Sequence, residues 1–67
     1  MTVFVNESPK EMPESSDLSS LLREIGIEEP VGVAVAVNGA IVQSDKWAET
    51  HLSANDQVLV VRATQGG

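Results

Sequence analysis

Val31-Gly32-Val33-Ala34-Val35-Ala36-Val37-Asn38-Gly39-Ala40-Ile41-Val42 decides the fold. Its first seven residues alternate large and small apolar side chains with the period of two that a strand requires, and valine suits a pleated, half-buried surface. The reading is a central strand covered on both faces, the alanines admitting a close neighbour on one side. Asn38 and Gly39 both tolerate the positive φ of a type I′ turn, so Ala40-Ile41-Val42 is the returning strand of a hairpin.

Toward the C-terminus, Gln43 to Leu52 is too polar for a strand, and its large apolar groups are Trp47 and Leu52. A helical turn pinned by Trp47 fits, with the indole as a packing anchor, since few basic residues flank it to make a base-stacking platform. His51 has no second ligand or base partner nearby and reads as a surface histidine. Ser53-Ala54-Asn55-Asp56 is a turn, and Gln57 to Arg62 is the last strand, with Val58 and Val60 on one face and Leu59 and Val61 on the other.

Toward the N-terminus, Glu28-Glu29-Pro30 is a solvated connector. Before it, Leu18, Leu21, Leu22 and Ile25 fall at i, i+3, i+4 and i+7, which puts all four on one face of a short amphipathic helix. Asp17 is its N-cap, because a carboxylate accepts the orphan N–H groups of the first turn. Gly26 stands where a left-handed C′ residue is wanted, and Ile27 supplies the apolar contact of a Schellman cap. Thr2-Val3-Phe4-Val5-Asn6 is strand one and Asn6-Glu7-Ser8-Pro9 its turn. A short second strand through Lys10-Glu11-Met12 ends at Pro13. The order β-β-α-β-β-β predicts an α+β fold: residues 1–62 form one mixed sheet of about five strands wrapped on one helix.

Composition narrows the function. The chain has 67 residues, ten acidic and four basic side chains, a net charge of −6 and no cysteine. A domain this small has no room for an enclosed substrate cavity, and its acidic surface is repelled by phosphate backbones and anionic lipid. Nucleic-acid and membrane partners are therefore not expected; a partner with a basic face is. Without cysteine there is no disulfide, thiolate metal site or cysteine nucleophile. One histidine and scattered carboxylates assemble no acid–base, nucleophilic or metal constellation, so neither catalytic residues nor a bound metal are expected. The segment Met1-Thr2-Val3-Phe4-Val5 lacks the basic region and cleavage site of a secretory signal, which leads to a cytoplasmic expectation.

The last five residues, Ala63-Thr64-Gln65-Gly66-Gly67, hold no large apolar side chain to anchor them, so residues 63–67 are expected to be a flexible tail. Gly66 and Gly67 lack Cβ, and their backbone passes where side chains cannot, with the free carboxylate of Gly67 leading. Thr64 and Gln65 are the remaining threading residues, and such a tail reaches at most about 17 Å. A passive chain end is the alternative. By strand parity, Val3 and Val5 join Val58 and Val60 beneath the helix, while Phe4, Leu59 and Val61 form an open apolar face beside the tail. With Arg62, which has the charge to meet an acidic partner, these are the candidate docking residues.

Taken together, Val5-Asn6, Asp17-Leu18, Leu21-Leu22, Val35-Ala36-Val37-Asn38-Gly39, Ile41-Val42, Trp47, Leu52, Asp56-Gln57-Val58 and Gly66-Gly67 resemble the thiamine-biosynthesis sulfur carriers (ThiS family) of the ubiquitin-like β-grasp superfamily. The order and spacing of these pieces carry the resemblance, which covers nearly the whole chain. Gln43-Ser44 stand where that family often shows Pro-Arg, and Asn55 where it usually has a turn glycine; asparagine tolerates the same left-handed backbone.

The resemblance implies a protein co-substrate and not an enzyme. Its Gly67 carboxylate would be adenylated by a ubiquitin-activating-like adenylyltransferase using ATP and Mg, then converted to a thiocarboxylate by a sulfur donor system. The sulfur would pass to thiazole synthase, and the carrier would bind no cofactor of its own. Two alternatives share the fold: a carrier of the molybdopterin synthase small-subunit type, and an interaction module that carries nothing.

Overall fold

A computed structural model describes residues 1–63. Five strands, β1 (Thr2–Val5), β2 (Ser8–Glu11), β3 (Val33–Val37), β4 (Ala40–Ile41) and β5 (Gln57–Arg62), form one sheet in the order β2-β1-β5-β3-β4. Among the described residues only β1 and β5 run parallel. One helix, α1 (Leu18–Glu24), covers one face, and a 3-10 segment (Ser44–Glu49) links β4 to β5. This is the expected α+β arrangement, a mixed five-stranded sheet on a single helix.

Both hairpins are closed by asparagine-led turns. Asn38 and Gly39 have φ of 50° and 86°, and Asn6 and Glu7 have φ of 49° and 74°, the positive pair of a type I′ turn in each case. The first turn is therefore shorter than the expected Asn6–Pro9, and β2 begins at Ser8, ending at Glu11 ahead of the core residue Met12. Pro9 is tolerated inside β2 for a geometric reason. The turn makes Val5 and Ser8 a hydrogen-bonded pair, so the Phe4–Pro9 pair is not, and the missing N–H faces the open edge of the sheet.

The helix follows its sequence signals. The Asp17 side chain accepts from the Ser20 amide at 2.8 Å and from the Ser19 hydroxyl at 2.8 Å. Those bonds, the Ser20 amide foremost, hold its carboxyl below the ordinary carboxylate value. At the other end Gly26 has φ of 92°, its amide donates to the Arg23 carbonyl at 3.1 Å, and the Ile27 amide donates to the Leu22 carbonyl at 2.8 Å. That pair of bonds is the Schellman motif, and Ile27 is buried with it. Leu18, Leu21 and Leu22 are fully buried, each worth about 2 kcal/mol in transfer free energy, while Ile25 is half-buried at the cap.

The core below α1 joins Val3, Val35 and Val58 from the sheet to Met12, Ile27, Trp47 and Leu52. Trp47 is buried as an anchor, and its indole N–H donates to the Val42 carbonyl at 3.0 Å. Leu18 and Leu52 amides donate to Thr50 and Ser16 carbonyls, each at 2.8 Å, tying the start of α1 to the segment beside the exposed His51.

The expectations for the Val31–Val42 stretch are corrected at four points. The strand starts at Val33, because Gly32 takes φ of 74° and the Val33 amide turns back to the Pro30 carbonyl. It is neither central nor covered on both faces. The centre belongs to β5, which pairs with β1 on one side and β3 on the other, and only the valine side of β3 faces the helix, leaving Ala34 exposed. The returning strand is Ala40–Ile41, with the Val42 amide still donating to the Val35 carbonyl.

Candidate functional site

The register fixes which side chains share the uncovered face. Leu59 lies opposite Ala36, Val61 opposite Ala34, Ile41 opposite Ala36, and Phe4 beside both Gln57 and Pro9. Paired residues project to the same side of a sheet, so Phe4, Leu59, Val61 and Ile41 share one surface, with two alanines between the larger groups. The alanines leave a shallow recess of about 130 Å³ lined by Ala34, Ala36, Ile41, Leu59 and Val61. Leu59 and Val61 are each 53% exposed and Ile41 74%, while Phe4 is half-buried. Ile41 is an addition to the residues expected there. The Asn38-Gly39 turn carried the signal, since a two-residue hairpin sets Ile41 across from Ala36.

Arg62 does not join this surface. One residue beyond Val61, it alternates to the other side and lines a separate cleft with Glu28, Glu29, Val31 and Ala63. The structure therefore brings Phe4, Leu59 and Val61 together and sets Arg62 apart.

The end of β5 is tied on both edges. On the β3 edge, the Ala63 amide donates to the Gly32 carbonyl at 2.6 Å, so Ala63, assigned to the tail on sequence, still bonds to the body. On the other edge β1 has already turned away, and the Asn6 carboxamide takes its place. Its Oδ1 accepts from the Val60 amide at 2.8 Å, and its Nδ2 donates to the Val60 carbonyl at 3.1 Å. A side chain thus continues the parallel ladder past the end of β1. Asn38 plays the matching part at the start of β5, its Oδ1 accepting from the Gln57 amide at 2.9 Å. The threading residues Thr64, Gln65 and Gly66, and the reactive candidate Gly67, lie outside the described residues. Among the described residues no three of His, Asp and Glu are grouped to hold a metal ion, and no helix is long and apolar enough to cross a membrane.

An anchored β5 ending beside an exposed apolar sheet face, on a five-stranded sheet with one covering helix, defines a ubiquitin-like β-grasp protein. Comparison with known proteins gives the family. The model of the ThiS family matches residues 2–67, and the chain belongs to that family. A crystal structure of the thiamine biosynthesis protein ThiS from Geobacter metallireducens is similar over 100% of both chains, with a TM-score of 0.82 and 25% sequence identity. A solution structure of a thiamine biosynthesis protein from the same organism is similar over 100% of this chain and 88% of the other, with a TM-score of 0.81 and 25% identity. No curated protein matches the chain. Family membership places it among the small sulfur carriers of thiamine biosynthesis, which are not themselves enzymes.

Proposed function

We propose that this chain carries sulfur for formation of the thiazole moiety of thiamine on the carboxylate of Gly67. The observation that carries the reading is the family match, which runs through Gly66 and Gly67. A terminal carboxylate has an unperturbed pKa of about 3.5 and is ionised at neutral pH. One of its oxygens attacks the α-phosphorus of ATP, bound with Mg by a ubiquitin-activating-like adenylyltransferase, and pyrophosphate leaves. In the resulting acyl adenylate, AMP is a good leaving group where oxide was not. A sulfide-level sulfur nucleophile supplied by the donor system adds to the carbonyl, AMP departs with the carbonyl–oxygen bond to phosphate, and the proton on sulfur is lost to solvent, leaving Gly67 as a thiocarboxylate that gives its sulfur to thiazole synthase. The nucleotide and metal belong to the partner, and the carrier's site of action is the cytoplasm.

The body's part is delivery. Phe4, Leu59, Val61 and Ile41 offer an apolar surface that a partner covers, and the ties at Val60 and Ala63 set where the tail departs. Fixing peptide backbone in a partner's site costs about 1–2 kcal/mol per residue, which burial of this surface must exceed. The test is ATP–pyrophosphate exchange catalysed by the adenylyltransferase: the intact chain supports exchange and a chain lacking Gly67 does not. Equal exchange by the two would refute the assignment of Gly67.

A further inference from the structure

The sheet's open face is one of two apolar exposures near the end of β5. Val31 is the other, 82% exposed, the highest value among the exposed large hydrophobic side chains of the described residues. It lines a concave cleft of about 470 Å³ between the α1–β3 connector and the end of β5, together with Ile27, Val33, Glu28, Glu29 and Arg62. Ala63 lines it too, so the cleft opens at the root of the tail, on the side of the sheet away from Leu59 and Val61.

The cleft's negative charge is only partly compensated. Elsewhere Lys10 pairs with Glu24 and Lys46 with Glu49, but among the described residues neither Glu28 nor Glu29 has an ion-pair partner within 4.0 Å, though Arg62 lines the same cleft. Two carboxylates against one guanidinium leave a net negative lining on a protein that is already at −6.

We propose that this cleft docks a lysine- or arginine-bearing segment of the adenylyltransferase. The proposal rests on the carrier reading above and adds a second contact to it. A long basic side chain has the matching chemistry: its methylene stem covers Val31 while its head meets Glu28 and Glu29. The partner then holds the tail's root from both sides of the sheet, the open face by apolar burial and the cleft by charge. An acidic segment would be repelled, and so would a nucleic acid.

The test is the dissociation constant of the full chain with the adenylyltransferase of the same organism, at low and high salt. The variants are E28Q/E29Q, V31S and the charge-matched control D45N/E49Q, whose sites are exposed and lie on the 3-10 segment. E28Q/E29Q is expected to weaken binding roughly fivefold or more at low salt and to flatten the salt dependence. V31S is expected to weaken it by a similar factor at both salt concentrations, and the control to stay within about twofold of the parent. If either cleft variant binds as the control does, the cleft proposal is overturned while the carrier reading stands. If the parent chain itself does not bind the enzyme, the carrier reading falls and the cleft proposal falls with it.

Discussion

Replacing Asn6 isolates the device that fixes where β5 ends. Its carboxamide makes two hydrogen bonds to Val60, at 2.8 and 3.1 Å, from a backbone with φ of 49°. Glycine adopts that φ freely and removes only the clamp; alanine removes the clamp and also strains the backbone. Both bonds are exposed, so water replaces them in part, and their combined loss is about 1 kcal/mol, toward the lower end of the usual range. Left-handed backbone adds about 1–2 kcal/mol for alanine. Asn6→Gly should therefore cost about 1 kcal/mol and Asn6→Ala about 2–3 kcal/mol, which in a domain this small is a melting-point drop of roughly 5 °C and roughly 10–20 °C. Thermal and urea unfolding measure these differences, and hydrogen exchange at the Val60 amide locates them. Faster Val60 exchange in Asn6→Gly, with the helix amides unchanged relative to global stability, is the expected pattern. Unchanged stability and unchanged Val60 exchange in that variant would refute the claim that the side chain completes the ladder.

Other substitutions probe the remaining links. The Asp17 carboxyl titrates below its ordinary 3.8 when folded, so the unfolded chain binds more protons in that acid range. Its contribution is then fully present above the ordinary carboxylate value and is lost as pH falls through the lower folded value. Urea midpoints measured from about pH 6 down to about pH 3 should fall more for the parent than for Asp17→Asn, which keeps a capping oxygen but no charge; parallel curves would contradict this. Trp47→Phe removes the donor to the Val42 carbonyl and leaves a void, and equilibrium unfolding should show a loss of about 2–3 kcal/mol. Leu59→Ser and Val61→Ser, on the open face, should change stability by no more than about 0.5 kcal/mol each yet weaken adenylyltransferase binding about tenfold in a titration, and a stability loss matching the binding loss would argue against a docking role.

Local chemistry explains which features could be read from the chain. Asp17, the Leu18-Leu21-Leu22 spacing, Gly26 and Ile27 each satisfy a need confined to a few neighbouring residues, and the helix formed with both caps as the sequence dictates. The Asn38-Gly39 hairpin was legible for the same reason, and so was the parity that exposes Leu59 and Val61. What the sequence hid depended on partners distant along the chain or on uncommon backbone. Glu7 takes a positive φ that glutamate seldom adopts, so the first turn looked longer than it is. Pro9 sits in a strand because of its register against Phe4, and β3 lost its central place because β1 and β5 pair across more than fifty residues. The clamp from Asn6 to Val60 also spans 54 residues, and nothing near Asn6 announces it. Glu28 and Glu29 look like ordinary solvated charge until the fold sets Val31 and Arg62 beside them.

The central claim is that the terminal carboxylate accepts sulfur, and intact-protein mass spectrometry tests it most directly. The chain is incubated with its adenylyltransferase, ATP, Mg and a sulfur donor. Exchange of one oxygen for sulfur should add about 16 Da, confined by fragmentation to Gly67. An unchanged mass, with an adenylyltransferase shown to be active on another carrier, would contradict the account.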